Sequence, residues 1–144
     1  MRTPLLFLLL WAGFASASVA QSAPGPVVGE VFLARELDRP PKLLEPRTWY
    51  YPADSLSKSV TVHAGFVVDT SGLVEPGSIK LKSPIDSTLA DAARRTIIAT
   101  QYRPGSFHGL AVRVLMDEKL VFHSQPKHCV PSADSPGFRS CVKP

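Results

Sequence analysis

The side chains best suited to chemistry in this chain are its histidines and its two cysteines. Four of them, His123, His128, Cys129 and Cys141, fall close together near the C-terminus. Imidazole and thiolate are ligands that Zn²⁺ prefers, so one interpretation is a zinc site. Their spacing, however, matches no common zinc pattern. Two cysteines this close in an exported chain would instead pair, and we predict a disulfide between Cys129 and Cys141.

Catalytic constellations are missing from the sequence. His63 falls on a predicted strand with no carboxylate at a partner spacing, and His108 lies beside Gly109 in a predicted loop. General acid–base catalysis needs a base that a second group orients. No serine stands in a nucleophile-elbow or triad context, and no glycine-rich stretch matches a phosphate loop. We therefore predict a non-catalytic protein that needs no cofactor and no metal.

The N-terminus has the pattern of a secretory signal peptide. Arg2 precedes an apolar run, which ends in the small residues ASASVA. This pattern predicts cleavage after Ala20, with Ala17 as the alternative site. The apolar run is shorter than the roughly 20 residues that span a bilayer. We therefore expect a periplasmic or secreted protein, and an inner-membrane anchor is the alternative.

Composition limits the other function classes. The chain has 144 residues, a length that suits one globular domain, and its formal net charge is +4. Its basic residues are scattered rather than interleaved with aromatic ones, so we predict no nucleic-acid partner. Most of its 14 prolines lie near the two ends of the chain, outside the central segment.

The clearest element is a strand over residues 60–69, in which apolar residues alternate with mixed ones. A turn over residues 69–72 leads to a return strand over residues 78–83. A helix follows from residue 87 or 88 to residue 100 or 101, capped by Asp86 or Ser87. Its predicted buried stripe consists of Leu89, Ala92, Ala93, Thr96, Ile97 and Thr100.

The last predicted strand covers residues 110–117 and resumes at residues 120–122 after three charged residues. A short helix is an alternative to a turn over residues 52–56. The preceding aromatic trio, residues 49–51, either packs the domain or presents a surface to a peptide. A hairpin, a helix and a third strand predict a small two-layer α+β domain with strand order 2-1-3.

Several stretches, in this order and spacing, resemble the C-terminal periplasmic domain of TonB, a bacterial energy-transducing protein. The resemblance covers roughly residues 36–122. It is carried by residues 38–41 (DRPP), 51–52 (YP), 66–69 (FVVD) with Gly72, 74–79 (VEPGSI), 89–93 (LADAA) and 102–105 (YRPG).

The resemblance implies a three-stranded antiparallel sheet with one long helix, and a possible short helix, on one face. It also implies that an extended peptide of an outer-membrane transporter adds to the last strand. An unpaired sheet edge would template such a peptide, and the C-terminal tail folding over that edge is the alternative. Transferred to this chain, the partner-binding residues are Val112, Arg113, Val114, Leu115 and Met116.

These inferences divide the chain into a signal peptide (1–20), a proline-containing linker (21–47), a TonB-like domain (48–122) and a cysteine-bearing tail (123–144). We predict an exported protein that binds a peptide of an envelope partner, such as a TonB-dependent outer-membrane receptor, by strand addition. An open edge would also permit a homodimer. The alternative functions are a membrane-anchored energy transducer with a short spacer and, less favoured, a metal protein or enzyme that uses the His/Cys tail.

Overall fold

The computed structural model describes residues 29–54, 56–124 and 128–142. Within these ranges the chain forms ten strands and one α-helix, with 3₁₀ turns at Ala34–Glu36 and Pro76–Ser78. In chain order the elements are β1 (Val31–Leu33), β2 (Lys42–Leu43), β3 (Thr48–Pro52), β4 (Val60–Val68), β5 (Lys80–Leu81), α1 (Ser87–Ile98), β6 (Tyr102–Arg103), β7 (Gly105–Phe107), β8 (Leu110–Phe122), β9 (Cys129–Pro131) and β10 (Phe138–Val142).

The main sheet has the strand order β1-β8-β4-β5, and β7 also pairs with β8. Its centre is the long antiparallel pair of β4 and β8, whose register runs from Val60 opposite Phe122 to Val68 opposite Val114. Alternate side chains of a strand point to opposite faces. One face of this pair is therefore mostly apolar, and its buried residues include Val62, Ala64, Phe66, Val114, Leu120 and Phe122.

Helix α1 covers the apolar face of the sheet. The Asp86 carboxylate caps it by accepting a hydrogen bond from the Leu89 backbone N–H at 2.8 Å. The hydroxyls of two buried threonines are satisfied by the helix backbone. Thr96, within the helix, donates to the Ala92 carbonyl, and Thr100, just after its end, donates to the Thr96 carbonyl. Every residue of the predicted stripe is buried, which confirms the stripe predicted from the helical periodicity.

A second sheet, β3-β10-β9, packs against this helix through β3. The Tyr50 backbone N–H of β3 donates to the Thr96 hydroxyl at 3.0 Å. The rings of Trp49 and Tyr51 lie edge-on to the Phe122 ring, at 5.3 and 5.4 Å between centroids. Two rings of the aromatic trio, Trp49 and Tyr51, thus join the second sheet to the end of β8, as the packing interpretation predicted.

The predicted fold class is wrong. The main sheet contains β1 and β7 in addition to the predicted strands, and β3, β9 and β10 form a sheet of their own. The described chain is therefore mostly β, not a small two-layer domain with a three-stranded sheet. The proposed short helix is also wrong, because β3 continues to Pro52, where it pairs with Phe138 of β10.

The predicted strand boundaries also need correction. The return strand is only β5, because the Pro76–Ser78 turn occupies its expected start. The last strand is continuous through residues 117–119, where the sequence predicted an interruption. The side chains explain this continuity, because Asp117 pairs with Lys82 and Glu118 with Arg47, so neither charge stands alone.

The predicted signal peptide lies outside the described residues, as does the beginning of the predicted linker. The rest of that linker carries β1 and β2. In the part of the chain that the structure describes, no helix has both the length and the apolar character needed to cross a bilayer.

Candidate docking edge and adjoining pocket

The residues predicted to bind a partner lie in the first half of β8. The backbone of residues 113–115 pairs on one side with β1, in parallel, and that of residues 110–112 pairs with β7. The expectation of an open edge at these residues therefore needs correction. The chain's own N-terminal segment fills it, and the described part of the C-terminal tail does not, because that part pairs with β3 instead.

The predicted residues divide between the two faces of the sheet. The side chains of Val112 and Val114 are buried, whereas Leu115 is 37% exposed. The Arg113 guanidinium binds both carboxylate oxygens of Glu75, at 2.6 and 2.7 Å. This two-point contact lowers the pKa of Glu75, chiefly through the hydrogen bonds from Arg113. The partner-binding role of these residues stays a prediction.

The second half of β8 is open along one edge. Beyond Leu115, where β1 ends, β4 continues to pair with β8 as far as Phe122. No other strand of the described ranges pairs with residues 116–122. Within the described ranges, no ladder therefore uses their backbone groups on the side away from β4, as at the edge of a sheet.

A pocket of about 510 Å³ adjoins this open edge. Met116 and Glu118 border it, since alternate side chains of β8 point to this face. Prolines and aromatic rings form half of its lining, together with two aliphatic side chains and a charged pair. The remaining lining residues are Pro41, Leu43, Pro46, Arg47, Trp49 and Tyr102.

A closed polar network forms one wall of the pocket. Arg47 Nη2 donates to Glu118 Oε2 at 2.6 Å and to the Tyr102 hydroxyl oxygen at 2.8 Å. The Tyr102 hydroxyl in turn donates to Glu118 Oε1 at 2.8 Å, and Arg47 Nε donates to the Thr100 hydroxyl at 3.0 Å. Burial raises the pKa of Tyr102 well above its ordinary value, so this phenol stays protonated.

This network positions three elements against one another. Arg47 precedes β3, Tyr102 belongs to β6, and Glu118 lies in the middle of β8. The side chains of Arg47 and Glu118 are 12% and 21% exposed, so their charges face each other with little water between them. The arrangement suits the holding of a ligand against a rigid wall, and it offers no free nucleophile.

The solvent face of β8 carries the other charges near the open edge. Asp117 and Lys119 are exposed, and Asp117 forms an ion pair with Lys82, which directly follows β5. His63 stands opposite Lys119 on β4 and is exposed. A guest strand at this edge would therefore meet alternating charges on one face and the pocket on the other.

The predicted disulfide between Cys129 and Cys141 is present, and it joins β9 to β10. Cys141 is 3% exposed and belongs to the main core. Both thiols of the alternative zinc site are consumed by this bond. Among the described residues, no group of three or more His, Cys, Asp and Glu side chains is arranged to hold a metal ion.

Arg47 and Glu118 were missed from the sequence as site residues. Arg47 lies at the end of the segment interpreted as a linker, and Glu118 in the charged triplet interpreted as a strand break. The one available signal was the alternation of β8. Met116, Glu118 and Leu120 alternate along the strand and therefore lie on the same, mostly apolar face. A charge at position 118 on that face needs a partner of opposite charge.

Comparisons of the chain with protein-family models, curated proteins and solved structures found no match. The similarity to TonB C-terminal domains thus stays a prediction from the residues.

Proposed function

We propose that this chain is an exported, non-catalytic binding domain that takes up an extended peptide of an envelope protein as an added strand on β8. The observation that carries the proposal is the open edge of residues 116–122, next to a pocket lined by rings and prolines. Backbone hydrogen bonds would supply affinity along the edge, and the pocket would select alternate side chains of the guest.

The position of the pocket supports strand addition rather than binding of a free small molecule. Met116 and Glu118 of β8 border the pocket, so a guest strand beside them would point every second side chain into it. Trp49 and Pro46 offer rigid apolar surface to such a side chain. Aromatic and proline-lined grooves are frequent in peptide-binding domains for this reason.

The charges beside the edge support selectivity. Exposed charges on an edge strand oppose indiscriminate pairing with other chains. Asp117 and Lys119 would therefore admit a guest whose charges complement theirs and disfavour other segments. The same charges restrict a homodimer through this edge to registers that pair opposite charges. An outer-membrane receptor of the TonB-dependent class is the partner that the sequence resemblance implies.

Site-specific photocrosslinking in cells tests the proposal. A benzoylphenylalanine at position 119 is expected to crosslink one envelope protein through a defined short segment. The matched control carries benzoylphenylalanine at position 80, which is exposed on β5 at the opposite edge of the sheet. A synthetic peptide of the crosslinked segment should then slow amide exchange at residues 116–122. Equal crosslinking from both positions, or no slowing at residues 116–122, would reject the proposal.

The alternative of an anchored energy transducer depends on residues 1–28, which lie outside the described residues. Mass spectrometry of the mature protein distinguishes the two. A chain that begins at Gln21 or Ser18 supports the exported domain, and a chain that retains Met1 supports the anchored one.

A further inference from the structure

The first half of the β8 edge is already occupied by a strand that resembles a bound peptide. β1 is three residues long and runs parallel to β8, with Val31, Phe32 and Leu33 opposite Arg113, Val114 and Leu115. It pairs with no other strand of the described chain. β1 pairs with β8 over three residues, whereas β4 pairs with β8 over nine.

One side chain anchors β1. Phe32 is 8% exposed and forms a small cluster with Val112 and Val114, separate from the main core. Its ring lies 5.1 Å from the Phe107 ring, between centroids. Val31, by contrast, is 39% exposed on the opposite face. The buried apolar area that holds β1 in place therefore comes mainly from a single ring.

The polar contacts of β1 are mostly contacts to its backbone. Arg113 Nη1 donates to the Gly29 carbonyl at 2.6 Å, just before the strand begins. At the other end, the Leu33 N–H donates to Glu36 Oε2 at 2.8 Å, within the 3₁₀ turn that leads the chain away. The hydrogen bond from Arg113 is made to a backbone carbonyl, so it does not depend on which side chain the accepting residue carries. The backbone of another extended segment could therefore accept the same hydrogen bond.

The two halves of the edge lie in one row along β8. One end of a guest strand paired with residues 117–121 would lie close to Leu33, the last residue of β1. Each added residue advances about 3.3 Å along the sheet, so a longer guest in this row would collide with β1. Either the guest is short, or β1 must leave.

We propose that β1 is a built-in competitor, which fills the first half of the docking edge until a partner strand replaces it. This inference rests on the proposed function and defines its ligand more closely. The replacing segment is extended, runs parallel to β8 and places a large apolar side chain where the Phe32 ring lies, against Val112, Val114 and Phe107. Because only part of the free protein has β1 released, its apparent affinity for that segment is lowered.

The test uses the full chain and a labelled synthetic peptide of residues 29–37, GEVFLAREL, measured by fluorescence anisotropy. A Phe32→Asp chain releases β1, and a Leu33→Cys/Leu115→Cys chain locks it by a disulfide between residues that face each other. We expect the released chain to bind about tenfold more tightly than wild type, and the locked chain about tenfold more weakly. A peptide that carries Phe32→Asp is the control and should not bind.

The outcomes separate the competitor from the proposed function. Equal affinities for the three chains, or no binding to a released chain whose near-ultraviolet circular dichroism stays native, would overturn the competitor. If the released chain loses that spectrum, a Phe32→Ala chain replaces it, and the locked chain decides independently of folding. Crosslinking from position 119 is then repeated in the locked chain. If the same segment crosslinks as strongly as in wild type, the proposed function stands while the competitor fails.

Discussion

The Arg47–Glu118 pair gives the sharpest prediction about stability. Glu118→Gln removes the negative charge but keeps the size of the side chain, and it leaves the Arg47 guanidinium, 12% exposed, without a counter-charge. Breaking a fully buried ion pair costs roughly 3–5 kcal/mol, and an exposed pair is worth less than about 1 kcal/mol. Since Glu118 is 21% exposed and Gln can still accept one hydrogen bond, we expect a loss of about 2 kcal/mol.

Urea unfolding followed by tryptophan fluorescence measures this loss. With a slope of about 2 kcal/mol per molar urea, the midpoint should fall by about 1 M. Asp117→Asn is the matched control. It removes a charge from the adjacent residue of the same strand, whose ion pair is 55% and 62% exposed, and should change stability by less than about 0.5 kcal/mol. Arg47→Met added to Glu118→Gln should recover part of the loss, because no uncompensated charge remains. Equal effects of Glu118→Gln and Asp117→Asn would refute the reasoning.

Three further predictions concern the fold around this network. Gly72→Ala should lower the free energy of unfolding by about 3 kcal/mol and Gly109→Ala by about 1 kcal/mol. Both glycines have positive φ, but of the two only Gly72 would bring its new Cβ against a backbone atom, the Tyr102 carbonyl oxygen. Urea midpoints measure both losses, and equal losses would exclude the clash. Reducing the Cys129–Cys141 disulfide, whose residues are 12 apart, should cost about 3 kcal/mol in the same assay, and an unchanged midpoint would contradict this. Because the folded protein raises the pKa of Tyr102, the contribution of this phenol to stability is complete below pH about 10 and is lost as the pH rises further. Above pH about 10, the Tyr102→Phe protein should therefore lose less stability per pH unit than wild type does.

Local signals in the sequence predicted the local structure well. The alternation over residues 60–69 corresponds to β4, and the helical stripe corresponds to the buried face of α1. The turn between β4 and β5 also follows its residues, because the Asp69 carboxylate accepts the backbone N–H groups of Ser71 and Leu73. These elements depend on neighbours within a few residues, and such neighbours can be read directly from the chain.

The errors concern pairings between distant residues. The aromatic trio became a strand because β10, almost 90 residues further on, pairs with it, and nothing local announces that partner. β1 is too short for a periodic pattern and depends on β8. The candidate site failed to emerge for the same reason, since Arg47, Tyr102 and Glu118 meet only after the fold brings three elements together. Secondary-structure propensity and hydrophobic periodicity carry no information about contacts between residues that are distant in the sequence.

The alternation of β8 separates its contribution to folding from its proposed contribution to docking. Residues 112, 114, 120 and 122 anchor the strand in the two cores, and residue 118 anchors it in the polar network. Asp117 and Lys119 point to the other face and are exposed. Under the proposed function, a substitution at either position is expected to change which guest is accepted while the fold keeps its stability. On that proposal, the outward-facing residues of β8 set the specificity, and the inward-facing residues hold the edge in place.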